Sequence, residues 1–280
     1  MARDRQTALL FPGQGSQTDG MRETVERHRP DLLEIAFEEV GSDLFERASD
    51  GTRWAQPAIY CAALAGWREL GTDGDVMAGH SLGEITALVA AGALDAADGL
   101  RLVAARGRLM QEAAETTGDG GMTAVRARGD NRDAIAEVAE EAGVSIANDN
   151  APDQLVLSGA EDALDRGEEL LRERKVRAKR LPVAGAFHSP LMEPAVEPFR
   201  AAVEAIEVAE PRVPVYSCVT AEPFDEIPER LVQAITNPVR WLEVLRALDA
   251  RGVTDFVETG PGRVLTNLVK KSLAMEAAGA

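Results

Sequence analysis

Residues 76–84 read Val76-Met77-Ala78-Gly79-His80-Ser81-Leu82-Gly83-Glu84, a short apolar run that ends in a serine between two glycines. The apolar run predicts a buried strand, and the residues from Leu82 to Ala91 predict a helix directly after it. A Gly-x-Ser-x-Gly pattern at a strand-to-helix junction is typical of a nucleophile elbow. Ser81 would then lie at a helix N-terminus, where backbone N–H groups favour developing negative charge. From this segment alone, a serine that only caps the helix, with Glu84 in its first turn, is an equally good interpretation.

The same alternation of strand and helix patterns extends on both sides of this segment. Ala8 to Phe11 reads as a buried strand that ends in the glycine-rich turn Pro12-Gly13-Gln14-Gly15-Ser16. The further segments are predicted as helices at 57–70, 94–114, 191–206 and 241–250, and as strands at 213–217 and 255–257. This order predicts an α/β fold with a doubly wound, mostly parallel sheet and helices on both faces.

A different pattern occupies the middle of the chain. After Gly118-Asp119-Gly120-Gly121, strand and helix patterns follow in the order β-α-β-β-α-β, at 122–125, 131–142, 144–147, 155–158, 161–173 and 176–181. That order fits a ferredoxin-like unit inserted into the larger domain. We therefore predict a core formed by residues 1–120 and 185–280, a ferredoxin-like subdomain at 121–184, and a cleft between them.

Composition limits the classes of partner. The 280 residues carry a formal net charge of −17, which argues against binding to nucleic acid or to an anionic membrane surface. Cys61 and Cys218 lie far apart, and no metal-ligand cluster is evident. The N-terminal apolar run is too short for a signal peptide or a membrane span. We expect a soluble cytoplasmic protein, with a monomer as the default.

A base for the serine is the next requirement. Of the three histidines, His28 lies in a polar run that we interpret as solvated, and His80 adjoins the serine. His188 lies in the loop Gly185-Ala186-Phe187-His188-Ser189-Pro190, and imidazole has a pKa suited to activating a hydroxyl near neutral pH. A lone histidine would ordinarily be interpreted as structural, so the choice between a structural and a catalytic His188 depends on further segments of the sequence.

Four separated segments together resemble the malonyl-CoA:acyl carrier protein transacylase family. They are Phe11-Pro12-Gly13-Gln14-Gly15-Ser16-Gln17, Gly79-His80-Ser81-Leu82-Gly83-Glu84, Arg106-Gly107-Arg108-Leu109-Met110-Gln111 and Gly185-Ala186-Phe187-His188-Ser189-Pro190-Leu191-Met192. The segments Gln56-Pro57-Ala58, Asn237-Pro238-Val239-Arg240-Trp241 and Glu258-Thr259-Gly260-Pro261-Gly262 are also similar to the family. Each motif is weak alone, but their ordered combination is specific and spans almost the whole chain.

The resemblance implies a hydrolase-like α/β fold with a ferredoxin-like subdomain, and it implies a role for each matching residue. Ser81 would be the nucleophile and His188 its base and later the general acid. Backbone N–H groups of Gln14 and Leu82 would form the oxyanion hole, and Arg106 would bind the malonyl carboxylate. Asn148 and Asn150 resemble polar positions that line the cleft. A backbone carbonyl would orient the histidine, and we expect it in the segment before Gly260.

The reaction implied is transfer of malonyl from malonyl-CoA to the phosphopantetheine thiol of a holo-acyl carrier protein, for fatty-acid or polyketide extension. No permanently bound cofactor would be needed, since the carrier protein supplies the phosphopantetheine. Family members that use malonyl groups typically carry Phe directly before the histidine, and Phe187 occupies that position here. We therefore expect malonyl-CoA rather than methylmalonyl-CoA as the substrate.

Two other functions remain open. A serine hydrolase shares Gly-x-Ser-x-Gly and commonly places an acid between serine and histidine in chain order, where this chain has many candidates. The Gln14 turn and the Arg106 segment argue against it. A non-catalytic subunit that binds a carrier protein is the second alternative, and the presence of Ser81, His188 and Arg106 argues against it.

A basic stretch stands out in this acidic chain. Residues 172–180 carry six cations against Glu173 and lead within a few residues to His188. We expect a positive rim beside the cleft that attracts CoA phosphates and an acidic carrier protein. Its members would be Arg174, Lys175, Lys179 and Arg180, with Lys270 and Lys271 as contributors. A solvated helix end followed by an edge strand is the alternative interpretation.

Overall fold

The computed structural model describes residues 5–118, 120–128, 131–183 and 185–279. Its strands are β1 (Gln6–Phe11), β2 (Val76–Gly79), β3 (Gly120–Arg126), β4 (Ser145–Ala151), β5 (Gln154–Ala160), β6 (Arg177–Arg180), β7 (Val215–Tyr216) and β8 (Val253–Glu258). Its α-helices are α1 (Met21–His28), α2 (Asp31–Val40), α3 (Thr52–Leu70), α4 (Gly83–Ala90), α5 (Ala96–Thr117), α6 (Asn131–Ala142), α7 (Glu161–Glu173), α8 (Val196–Glu204), α9 (Ile227–Gln233), α10 (Trp241–Arg251) and α11 (Val264–Gly279). A 3₁₀ helix at Pro190–Ala195 precedes α8.

Four of these strands form a parallel sheet in the order β7-β2-β1-β8. Both faces of the central strand β1 are buried. Leu9 and Phe11 pack into a core with α3, α4 and α5, whereas Ala8 and Leu10 pack into a second core with α10 and α11. A strand buried on both sides explains why β1 is a continuous apolar run rather than an alternating one. The predicted doubly wound parallel sheet is confirmed.

The other four strands form an antiparallel sheet in the order β4-β5-β3-β6. Helices α6 and α7 cover one face, where Val125, Ile135, Leu157 and Leu164 share a core. The order β-α-β-β-α-β along the chain is as expected of a ferredoxin-like unit. The domain boundaries placed at 120/121 and 184/185 stay a prediction.

The structure also differs from the sequence prediction in several elements. Helices α1, α2, α9 and α11 were not predicted, and α3 begins at Thr52 rather than at Pro57, which lies inside the helix. The predicted helix 191–206 is a 3₁₀ turn followed by α8, since Pro194 has no N–H to donate. The predicted strand 213–217 is reduced to Val215–Tyr216, directly after Pro214.

Candidate active site

The turn between β2 and α4 places Ser81 in a strained conformation. Ser81 has φ of 55°, in the left-handed region that non-glycine residues seldom occupy. The turn is packed so closely that a Cβ on Gly83 would lie 2.1 Å from the Phe11 carbonyl oxygen. A Cβ on Gly13 would lie 2.5 Å from the His80 carbonyl oxygen, so the glycine-rich turn after β1 lies directly against the elbow. Gly13 and Gly83 are therefore required by close backbone approach.

His188 contacts the serine and is itself held by backbone. Its Nε2 lies 2.9 Å from Ser81 Oγ, and its Nδ1 lies 2.9 Å from the Ala234 carbonyl oxygen and 3.1 Å from that of Asn237. Two carbonyl acceptors at Nδ1 require the proton there, so Nε2 accepts from the serine hydroxyl. The expectation that the orienting carbonyl precedes Gly260 is wrong. Gly260 lies beyond β8 and packs against the Pro12 ring, whereas the carbonyls come from the loop after α9.

The surroundings of His188 keep its imidazole neutral. Burial, together with the nearby Arg106 guanidinium and His80, lowers the pKa of His188 to about 3. His188 also has φ of 58°, so both members of the pair occupy the left-handed region. A neutral imidazole that accepts a serine proton is the arrangement of a general base.

Arg106 is a buried cation beside the nucleophile. The residue is 3% exposed; its Nη2 lies 3.2 Å from Ser81 Oγ, and its Nη1 donates to Gln56 Oε1 at 2.8 Å. Burial lowers its pKa to about 10, while the charge of Glu84 acts in the opposite direction. Among the described residues, no carboxylate lies within salt-bridge distance of Arg106. A buried guanidinium without a paired anion is a site that an incoming carboxylate would satisfy.

Glu84 is a functional candidate whose local sequence indicates only a residue in the first turn of a helix. It is 1% exposed, and its Oε1 accepts the Cys218 backbone N–H at 2.7 Å. Burial raises the pKa of Glu84 to about 7, although hydrogen bonds from Cys218 and Ser217 and the charge of Arg106 act against the rise. The Cys218 thiol in turn donates to the Gly79 carbonyl at 3.1 Å. The carboxylate thus ties the loop after β7 to the nucleophile elbow.

The antiparallel sheet contributes two buried asparagines to the site. Asn150 Oδ1 lies 2.8 Å from His80 Nε2, and the His80 ring makes an edge contact with Trp241. Asn148 forms an isolated parallel bridge with Val239, two residues beyond the carbonyl of Asn237 that holds His188. Both asparagines line the cleft, as expected. Only Asn150 makes a side-chain contact with the nucleophile elbow.

A cleft of about 830 Å³ runs between the two sheets and opens onto Ser81. Its lining includes Gln14 and Leu82 from the two turns, and Met122, Ala124 and Val156 from the antiparallel sheet. Its volume lies in the range of small-molecule sites. Leu82 comes directly before α4, so its N–H belongs to a helix N-terminus. The structure therefore brings the predicted oxyanion donors and the Ser81–His188 pair to one cleft.

Phe187 lies beside this group. It is 7% exposed, lines the cleft, and packs its ring over Gly185, where a Cβ would lie 2.7 Å from the ring. The ring therefore forms part of the wall next to His188.

One cation of the predicted basic rim has acidic partners on a neighbouring helix. Arg180 forms ion pairs with three carboxylates of α7, which are Glu161, Asp165 and Glu168. These partners keep its pKa above the usual range of arginine. These three carboxylates lie outside residues 172–180, on the helix that packs against the strand. The charge of Arg180 is thus balanced locally by α7, and its assignment to carrier docking stays a prediction.

Strand alternation explains which cations face the cleft. Lys179 pairs with Ala124, a cleft-lining residue, so the two side chains lie on the same face of the sheet. Arg177 pairs with Arg126, which pairs with the cleft-lining Gln154 on the other side. Three cations therefore lie on the cleft-facing side of the sheet, and of these Lys179 alone was among the predicted rim residues.

The remaining predicted cations are scattered. Arg174 binds Glu141 and the Leu170 carbonyl, at the end of α7. Lys175 is exposed in the turn that follows. Lys270 is exposed on α11, and its neighbour Lys271 donates to Gln154 Oε1 at 3.3 Å.

No cluster of three or more potential metal ligands occurs within the described residues. None of the described helices is long and apolar enough to cross a membrane. Cys61 and Cys218 are both buried and unpaired with one another.

Comparison with known proteins places this arrangement in a family. The Acyl transferase domain family matches residues 8–279. A malonyl CoA-acyl carrier protein transacylase of Bacillus subtilis is 40% identical over 286 residues, which cover 94% of this chain and 89% of that protein. The polyketide biosynthesis protein ThaF of Burkholderia thailandensis is also 40% identical, but this chain spans only 24% of its length. The crystal structure of a malonyl CoA-acyl carrier protein transacylase from Burkholderia pseudomallei has a TM-score of 0.87 and 38% identity, with 95% of this chain and 97% of that chain covered. The chain belongs to the acyl transferase domain family.

Proposed function

We propose that the protein is an acyl carrier protein S-malonyltransferase that works through a malonyl-serine intermediate. One observation carries the proposal: Ser81 Oγ lies within hydrogen-bond distance of both a neutral imidazole, His188, and a buried guanidinium, Arg106. The first contact activates a nucleophile. The second places a cation where the distal carboxylate of a short diacid would lie once its other end is bonded to the serine.

The first half-reaction acylates the serine. His188 Nε2 takes the hydroxyl proton as Ser81 Oγ attacks the thioester carbonyl carbon, and the carbonyl oxygen becomes an oxyanion. Backbone N–H groups of Gln14 and Leu82 would stabilise that charge, with the dipole of α4 behind Leu82. The C–S bond then breaks, and the imidazolium returns its proton to the departing CoA sulfur. Malonyl-Ser81 and CoA are the products.

The second half-reaction reverses these steps with a different thiol. His188 takes the proton of the phosphopantetheine thiol of the carrier protein, the thiolate attacks the acyl-serine, and Ser81 leaves with the proton from the imidazolium. The two backbone carbonyls at Nδ1 orient the ring without a third acid. Because a thioester is more reactive than an amide, a dyad of this kind suffices. No permanently bound cofactor takes part.

Arg106 would select the acyl group. A guanidinium can hold a carboxylate by two parallel hydrogen bonds, which fixes the malonyl ester and excludes acyl groups that lack the charge. The Phe187 ring beside His188 would leave little room for a methyl branch at the α-carbon. Discrimination by one methyl is worth about 1–3 kcal/mol, so malonyl-CoA should be preferred over methylmalonyl-CoA. Equal kcat/KM values for the two thioesters would contradict this assignment.

The partner would be a holo-acyl carrier protein, bound transiently. Lys179, Arg177 and Arg126 lie on the cleft-facing side of the antiparallel sheet, where they would attract phosphates and acidic side chains. We expect a cytoplasmic monomer that supplies either fatty-acid or polyketide extension.

The direct test is the acyl-enzyme itself. Wild-type protein incubated with malonyl-CoA should gain the mass of one malonyl group, and Ser81→Ala should gain none. A carrier protein in its holo form should then remove the group faster than water does, which separates a transferase from a hydrolase. Labelling of S81A, or loss of the group to water at the same rate with and without the carrier, would overturn the proposal.

A further inference from the structure

A directed chain of hydrogen bonds links Arg106 to the side chain of Gln14. Arg106 Nη1 donates to Gln56 Oε1 at 2.8 Å, and Gln56 Nε2 donates to Thr52 Oγ1 at 2.9 Å. The Thr52 hydroxyl then donates to Gln14 Oε1 at 2.8 Å. The guanidinium can only donate, so it fixes the orientation of the Gln56 amide, and that orientation fixes the direction of the Thr52 hydroxyl.

The first three residues of this series of hydrogen bonds are buried and lie on helices. Arg106, Gln56 and Thr52 are 3%, 2% and 4% exposed. Thr52 and Gln56 are four residues apart on α3, hence on one face of the helix. Helix α5 packs so closely there that a Cβ on Gly107 would lie 2.7 Å from the Thr52 carbonyl oxygen. Hydrogen bonds in such a water-poor contact are stronger than on the surface, and a missing partner is costly.

The last member, Gln14, is exposed in the turn after β1, which packs against the nucleophile elbow but whose other side-chain hydrogen bonds are local. Ser16 Oγ donates to the Gly13 carbonyl at 2.8 Å, and the Gly15 N–H donates to Gln17 Oε1 at 2.6 Å. Both contacts lie within the turn. The Thr52 hydroxyl is the side-chain contact that joins Gln14 to the helical scaffold.

We infer that Thr52 is a positioning residue, which holds Gln14 in register with Arg106 through the bonds Arg106–Gln56–Thr52–Gln14. The inference rests on the proposed function, in which Gln14 donates its N–H to the oxyanion and Arg106 holds the malonyl carboxylate. The carboxylate and the oxyanion of one substrate must be bound together, so the two groups that bind them need a fixed separation. Thr52, which lines the same cleft, would provide it through its hydrogen bonds to Gln56 and Gln14.

The test compares three threonine variants. Thr52→Val removes the hydroxyl with little change in volume, and Thr52→Ser keeps it. Thr86→Val is the matched control, because Thr86 is fully buried and its hydroxyl has no hydrogen-bond partner among the described residues. The rate of malonyl-Ser81 formation is measured at saturating malonyl-CoA by intact mass, with KM and the melting temperature recorded for each protein.

We expect T52V to acylate about tenfold more slowly at saturation, with KM changed by less than about threefold, as for one buried hydrogen bond that acts on the transition state. T52S should recover to within about twofold, and T86V should match the wild type. A T52V rate equal to that of T86V would overturn the inference. So would a T52V defect that T52S does not rescue.

A double-mutant cycle then tests the route of the effect. Gln14→Ala keeps the backbone N–H but removes the acceptor of the Thr52 hydroxyl, so T52V should slow the Q14A protein by less than about twofold. An undiminished tenfold loss in that background would show that Thr52 acts by another route and overturn the relay. If the wild-type chain forms no malonyl-serine at all, the proposed function fails, and the relay fails with it; a wild type that acylates while the cycle shows no coupling overturns the relay alone.

Discussion

The two sheets contribute to the site in different ways. Around the parallel sheet, the reactive groups lie in tight turns, and both Ser81 and His188 have positive φ. In the antiparallel sheet, Asn148 and Asn150 lie on β4 itself and line the cleft, although the register of β4 to β5 shifts on either side of Asn148 and Asp149. The first arrangement exposes a side chain at the end of a rigid element, at a cost in backbone strain. The second forms a wall from strand residues, and neither asparagine has a positive φ.

This difference predicts where substitutions act. Changes beside the parallel sheet should alter the chemical step and the charge balance of the buried site. Changes in the antiparallel sheet should alter fit and docking, with smaller effects. The following variants test that division.

Arg106→Ala should give the largest selective effect. Malonyl transfer is expected to fall by about 100-fold or more, because the malonyl carboxylate loses its partner in a buried ion pair. Such a loss costs about 3 kcal/mol. Acetyl transfer should fall much less, since it uses no carboxylate clamp. Steady-state kcat/KM with malonyl-CoA and acetyl-CoA measures both.

Removal of Arg106 should also move the pH profile of acylation. The guanidinium lowers the pKa of His188, so the R106A protein should lose activity on the acid side at a higher pH than the wild type. Arg106→Lys keeps the positive charge but not the planar guanidinium, so the acid limb of the pH profile should stay nearly unchanged in this variant. Equal loss of malonyl and acetyl transfer would make Arg106 a structural residue.

Glu84→Gln should change stability in a pH-dependent way. The folded-state pKa of Glu84 is about 7, above its usual value of 4.5, so its ionisation opposes folding as pH rises through this window. Below pH 4.5 the carboxyl is protonated in both states and the penalty is absent. Glutamine still accepts the Cys218 N–H but does not ionise.

The melting temperature of E84Q relative to wild type should therefore rise between pH 5 and pH 8. The corresponding gain in the free energy of unfolding has a ceiling of about 3 kcal/mol. Thermal unfolding at both pH values measures it. A difference that stays constant with pH would mean that Glu84 ionises as readily in the folded protein as in the unfolded chain.

Asn150→Ala should have a smaller effect, about fivefold to tenfold on kcat, because His80 loses its hydrogen-bond partner while Ser81 keeps its own. Asn148→Ala is the control, since Asn148 lies on the same strand and the same face but contacts the turn near His188 through its backbone. Equal losses in the two variants would assign the effect to the cleft wall rather than to His80. Single-turnover acylation rates distinguish these outcomes.

Lys179→Glu should have the smallest effect, a rise of about threefold in KM for the carrier protein that disappears at high salt. Arg172→Glu makes the same change of charge on α7, which covers the opposite face of the sheet, and should leave KM unchanged. A similar rise in both variants would indicate a general effect of net charge.

Much of the site could be predicted from local sequence. A nucleophile elbow is a contiguous turn, and its glycines, Gly79 and Gly83, are required by close backbone contacts that the motif already encodes. The alternation of strand and helix patterns similarly predicted both sheets. The helices that the sequence does not predict, such as α1 and α2, lie outside the motifs, and α3 extends five residues before Pro57, a residue type that favours a helix start.

Contacts between distant segments could not be predicted in the same way. The carbonyls of Ala234 and Asn237 carry no side-chain signature, since any residue supplies a backbone oxygen. The neutralisation of Arg180 depends on which face of an edge strand meets α7. The buried state of Glu84 depends on the loop after β7, more than a hundred residues away.

The sequence by itself thus predicted the class of fold and a strand-turn-helix segment around Ser81, because these depend on residue type and short-range spacing. The roles expected of His188 and Arg106 came from the resemblance of several ordered segments to one family. Only the tertiary structure decided the tautomer of His188, the charge balance around Arg106, and which cations face the cleft. The physical reason is that protonation and charge depend on burial and on partners brought together across the chain, and neither is a property of a short segment.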